Sequence, residues 1–113
     1  MNKREQLAQW TSLVADTGDL DMIAALAPED ATTNPSLLLA AAKDERYRGL
    51  LEQAATLCEE LGHKGEMDWL TDICACLAGQ AILERVPGLV STEVDARLSF
   101  DTRATVEKAR RLM

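Results

Sequence analysis

The chain has 113 residues, enough for one small domain that buries roughly two-thirds of the surface its unfolded form exposes. A hydrophobic fraction of 47% against 27% charged residues excludes a disordered chain, and with only 4% aromatics the core must come from Leu, Ala, Ile, Val and Met. Nineteen acids against twelve bases, a net charge of −7, tell against electrostatic binding to nucleic acid or to an anionic membrane.

Along the chain, short strand-like runs alternate with helical ones. Lys3 to Gln9 suits a short leading helix, too polar for a signal peptide. Thr11 to Ala15 reads as a strand, ended by the turn and cap residues Asp16-Thr17-Gly18-Asp19. Leu20 to Ala27 has helical spacing and stops at Pro28. Ala31-Thr32-Thr33-Asn34 is a second strand, and Pro35 opens a helix that continues through Ala42. The longest apolar run, Leu37 to Ala42, is far short of the roughly 20 residues of a bilayer span.

From Asp44 the pattern is strongly helical, with Leu50, Leu51, Ala54, Leu57, Cys58 and Leu61 on one broad face. Gly62 and Gly65 break it. A helix from about Glu66 to Arg85 follows, stopped by Pro87-Gly88. Leu89 to Val94 is the third strand, and Asp101 or Thr102 caps a last helix reaching Met113. Strands alternating with helices imply parallel β/α units.

In such folds the working residues sit at the carboxyl ends of the strands. Those ends offer Asp16, Asn34 and the pair Glu93/Asp95. A carboxylate there can exchange protons, and an amide can hold a polyhydroxy substrate. On spacing alone, Asp16 suits a helix cap as well as it suits a chemical role. Three cysteines are too few for a disulfide scaffold and are expected to be reduced and partly buried. Cys74 and Cys76 point to different faces of a helix, so metal binding is not expected. His63 falls in a turn and carries no chemical role. Trp10 and Trp69 read as packing residues, Glu59-Glu60 as a solvated face, Arg110 and Arg111 as cations suited to a helix end, and Arg97 as a partner for an acid such as Asp95.

The residues themselves say more. Ala15-Asp16-Thr17-Gly18-Asp19 resembles the first-strand segment of the transaldolases. Asp30-Ala31-Thr32-Thr33-Asn34-Pro35-Ser36-Leu37-Leu38 resembles that family's second-strand signature. Val86-Pro87-Gly88 and Ser91-Thr92-Glu93-Val94-Asp95-Ala96-Arg97-Leu98-Ser99 resemble its third. The likeness covers essentially the whole chain, with the segments in order.

The resemblance implies an α/β fold made of the first three β/α units of a (β/α)8 barrel, a single partial domain over residues 1–113, truncated before the fourth strand. It implies a cytoplasmic location and transfer of a dihydroxyacetone unit between sugar phosphates. It further implies Schiff-base chemistry on a lysine, with no metal or organic cofactor. By the family pattern Asp16 is the acid/base at the hydroxyl beside the bond being cut. Glu93 works through a water in forming and breaking the imine. Asn34 holds the dihydroxyacetone hydroxyls, with Thr32 beside it.

The family's lysine lies on the fourth strand. One β/α unit takes roughly 30 residues, so that lysine is expected beyond Met113. Lys3, Lys43, Lys64 and Lys108 all fall on helical or flanking segments, where a solvated face gives no desolvated, reactive amine. The chain alone is therefore expected to lack transaldolase activity. Its open edges are expected to pair with another copy or a complementing chain. The alternative is a stand-alone, non-catalytic interaction or sugar-sensing protein derived from a shortened transaldolase.

Overall fold

The computed structural model describes the backbone of residues 1–113 and every side chain except those of Pro35, Leu37 and Ala41. The order is α1 (Lys3–Ala8), β1 (Val14–Asp16), α2 (Leu20–Leu26), β2 (Asp30–Thr33), α3 (Pro35–Ala42), a 3-10 turn (Glu45–Tyr47), α4 (Arg48–Glu60), α5 (Met67–Leu83), β3 (Val90–Thr92), a second 3-10 turn (Ala96–Leu98) and α6 (Thr102–Leu112). The alternation expected from the sequence is thus present. β1 starts three residues later than the Thr11–Ala15 reading, and the pairing partner explains why: the ladder begins where Val14 meets Asp30.

The three strands form one parallel sheet in the order β1-β2-β3. Ala15 sits beside Ala31, which sits beside Val90; Asp16 sits beside Thr32, which sits beside Ser91. Because side chains alternate across a strand, the sheet has two unlike faces. One carries Ala15, Ala31, Thr33, Val90 and Thr92, and it packs on α5. The small strand residues let the helix approach closely, and Ile23, Ile82 and Val86 complete this core. The other face carries Val14, Asp16, Thr32 and Ser91, and among the described residues no helix covers it. Val14 is 53% exposed, and Leu89, just before β3, 76%.

Caps fix the helix starts. Asp19, not Asp16, caps α2, accepting from the amides of Asp21 and Met22. Asp101 caps α6 through the Ala104 amide. The α4–α5 turn passes through Gly62 (φ 82°) and Gly65 (φ 79°), the left-handed region that glycine enters without strain. Gly88 has a different duty. Its amide donates to the Glu29 carbonyl at 2.9 Å, and the next amide, Leu89, donates to Asp30 Oδ1 at 2.7 Å. A Cβ at Gly88 would stand 2.7 Å from the Glu29 carbonyl oxygen.

Trp10 corrects the packing expectation: it is 86% exposed, in the turn after an α1 that buries no side chain. Trp69 does pack, its ring stacked on His63 at 3.7 Å with Arg111 over it at 4.6 Å. Cys58 is buried, and Cys74 and Cys76 are half-buried; burial raises the thiol pKa of both Cys74 and Cys76. Among the described residues no helix is long and apolar enough to cross a membrane.

The molecule is a slab, 51 × 35 × 20 Å, with a radius of gyration of 15.5 Å. A closed domain of this length has a radius near 13 Å. The accessible surface is 7880 Å², against about 6,100 Å² for a compact monomer of this mass. Both values exceed those of a compact monomer of this length.

Candidate active site

The residues singled out from the sequence lie at or just past the carboxyl ends of the strands. Asp16 ends β1 on the uncovered face and is exposed. Thr32, opposite it on β2, donates its hydroxyl to Asp16 Oδ1 at 2.9 Å. This bond fixes one carboxylate oxygen and leaves the other, Oδ2, without a partner among the described residues. Asp16 is therefore a strand-end carboxylate aimed away from the helix layer.

Asn34 follows β2 and Glu93 follows β3, each two residues beyond the row that holds Thr32 and Ser91. Asn34 is half-buried, and Glu93 is exposed. Both line a cleft of about 470 Å³ at the carboxyl end of the sheet, with Thr33, Thr92, Asp72 and Lys108 on its other walls. Asp16 lies outside it. Neighbouring strands are about 4.8 Å apart, so β1 and β3, flanking β2, hold their end residues roughly 10 Å from each other. A small ligand can bridge that distance. The structure thus bonds Thr32 to Asp16 and sets Asn34 and Glu93 on the walls of one cleft, with Asp16 outside it.

Behind Glu93 the loop folds back. Asp95 caps the 3-10 turn by accepting from the Arg97 amide at 2.9 Å, and it also holds the Arg97 guanidinium, as the sequence suggested. The hydrogen bond from that guanidinium draws the Asp95 carboxyl down to about 2.

The sequence reading missed a charged cluster between α5 and α6. Lys108 is only 8% exposed, where a solvated helix face was expected. Its ammonium lies 2.6 Å from Asp68 and 2.8 Å from Asp72, and Arg111 reaches the same two carboxylates. Hydrogen bonds from Lys108 and Arg111 lower the Asp68 pKa. The signal was present: Asp68 and Asp72 stand four apart, and Lys108 and Arg111 three apart, which puts each pair on one helix face. None of the four lysines stands at the end of a strand.

The family model for transaldolase/fructose-6-phosphate aldolase matches residues 13–113. The chain belongs to the transaldolase/fructose-6-phosphate aldolase family. Among its relatives is a transaldolase of Marinobacter nauticus, 56% identical over 99% of this chain and 36% of that protein. A transaldolase of Stutzerimonas stutzeri is 53% identical over 99% of this chain and 35% of its own length. One from Prochlorococcus marinus is 53% identical over 96% and 34%. The chain spans about a third of the length of these transaldolases.

Proposed function

We propose that the chain supplies the proton-handling and substrate-contacting residues of a transaldolase site, on the first three β/α units of a (β/α)8 barrel. The observation that carries this reading is that Asp16, Asn34 and Glu93 stand at or just past the carboxyl ends of three adjacent parallel strands. Asp16, steadied by the Thr32 hydroxyl, is a base presented from one strand end. Asn34 and Glu93 stand together at the ends of the next two. Cleaving a ketose carbon–carbon bond needs a base at the hydroxyl of the departing fragment, kept apart from the group that attacks the carbonyl. Asp16 takes that proton; Asn34 holds the hydroxyls of the retained fragment, with Thr32 beside it. Glu93 acts through a water on the proton transfers around the carbonyl.

The attacking amine comes from outside these 113 residues. Among the described residues Lys108 is the lysine that borders the cleft of Asn34 and Glu93, and its ammonium is shared between Asp68 and Asp72. An ammonium so held has no lone pair for the carbonyl. The chain by itself is thus inactive. It needs no metal or organic cofactor, acts in the cytoplasm, and gains activity with a chain carrying the remaining strands. Until then the open face drives self-association: the surplus surface of about 1,800 Å² exceeds the roughly 800 Å² each partner buries in a standard interface.

The test is borohydride trapping with fructose 6-phosphate, read by intact mass. No adduct is expected on the chain alone, and turnover is expected after a complementing chain is added. A stoichiometric adduct on any of the four lysines refutes the reading. The exposed Val14 and Leu89 also suit a non-catalytic interaction protein, and in that case complementation restores nothing.

A further inference from the structure

Six charged side chains from three elements meet behind Glu93. α5 supplies Asp68 and Asp72, α6 supplies Lys108 and Arg111, and the loop after β3 supplies Asp95 and Arg97. Three acids face three bases, so the group is neutral. The contacts within it are specific. Lys108 lies between Asp68 and Asp72, and Arg111 holds both of those carboxylates from the other side. Arg97 grips Asp95. The two halves also feel each other: Lys108 acts electrostatically on Asp95, and Asp68 on Arg97.

Geometry strengthens the link. The Thr105 hydroxyl of α6 donates to the Leu98 carbonyl at 2.8 Å, which ties that helix to the far end of the same loop. Lys108 is one turn further along α6 from Thr105, and it is the most buried cation of the six. Asp72, its closest buried partner, is 6% exposed. A buried ammonium with two carboxylates cannot shift without leaving a charge uncompensated, so the position of α6 on α5 is sharply defined. The loop that follows Glu93 is docked against that fixed point.

We propose that Lys108 is a positioning residue: its ammonium, locked to Asp68 and Asp72, anchors the Asp95–Arg97 turn and thereby sets where Glu93 stands at the sheet edge. This rests on the reading of Glu93 given above, but the anchoring itself does not. Lys108 borders the cleft with its ammonium committed to Asp68 and Asp72, and it acts on Glu93 through Asp95 and the turn.

Hydrogen–deuterium exchange of the 113-residue chain tests it. In Lys108→Met the amides of residues 93–98 exchange about ten-fold faster than in the parent chain, while those of α4, on the far side of α5, keep their protection. Lys108→Arg, which retains the charge, restores slow exchange. If Lys108→Met does not fold, Asp68→Asn serves instead, because Asp68 has 59% of its side chain exposed and its loss releases one arm of the Lys108 clasp while sparing the core; faster exchange of the same amides is expected. Loop amides as protected as the parent's in a folded Lys108→Met, or in Asp68→Asn, overturn the proposal. So does loosening that Lys108→Arg fails to reverse. None of these outcomes depends on catalysis, so failure here is distinct from failure of the trapping experiment.

Discussion

Replacing Gly88 by alanine should destabilise the fold far more than one methyl group suggests. The new Cβ would stand 2.7 Å from the Glu29 carbonyl oxygen and closer still to the Asp30 carboxylate. The carboxylate can swing away, but only by giving up the Leu89 amide, which it holds at 2.7 Å. The Glu29 carbonyl is backbone and cannot move without straining its own bond from the Gly88 amide. Overpacking costs about 1–3 kcal/mol and a lost hydrogen bond to a charged group about 1.5–3 kcal/mol. Taking the lower half of each range gives about 3 kcal/mol. With a urea slope near 1.5 kcal/mol per molar, the midpoint falls by about 2 M. Gly49→Ala is the control. It lies in the first turn of α4 with nothing within 4 Å of the new Cβ, so the same change should stabilise by about 0.5 kcal/mol. A midpoint for Gly88→Ala within about 0.3 M of the parent's would refute the reasoning, because it would mean that the Pro87-Gly88 segment is not clamped to the end of β2.

Other outcomes follow from the same structure. Thr33 is fully buried and its hydroxyl has no partner among the described residues, so Thr33→Val should raise stability by about 1 kcal/mol, read by urea titration. The lowered carboxyls of Asp95 and Asp68 stabilise the fold fully above the ordinary aspartate value of 3.8, and this contribution is lost as pH falls through their depressed values, about 2 for Asp95. The urea midpoint should therefore hold at pH 5 and drop between pH 4 and pH 2; a flat profile there would contradict the pairing. Leu89→Glu puts a charge on the uncovered face beside β3 and should shift sedimentation toward monomer. In a reconstituted barrel Asp16→Asn should lower kcat by about 10²–10⁴ with little change in KM, as loss of a positioned base does.

The sequence was most informative where local chemistry decides the outcome. Pro35 opens α3, Asp101 caps α6, and the apolar spacing around Ala54 and Cys58 buries the face of α4 that meets α5. Each rests on a few residues close in the chain. The segments around Asp16, Asn34 and Glu93 also resembled the transaldolases strongly enough for the family to be read before any coordinates. Spacing alone could not separate a cap from a strand-end base at Asp16. The cap of α2 is Asp19, and Asp16 instead accepts from Thr32, sixteen residues away, whose hydroxyl reaches the carboxylate only because β1 and β2 pair in that register.

Burial was the property least visible in the sequence. Trp10 looks like core by residue type, yet it follows an α1 that buries no side chain and is itself exposed. Lys108 looks like surface by residue type, yet it is enclosed because α5 brings two carboxylates to it from forty and thirty-six positions away. Residue type and period establish which side of an element is apolar, since they depend on the chain's own geometry. What covers that side, and which distant charge a buried charge meets, is set only when the elements pack. The two faces of this sheet, one closed by α5 and the other left bare, are therefore the part of the molecule that only its tertiary structure decides.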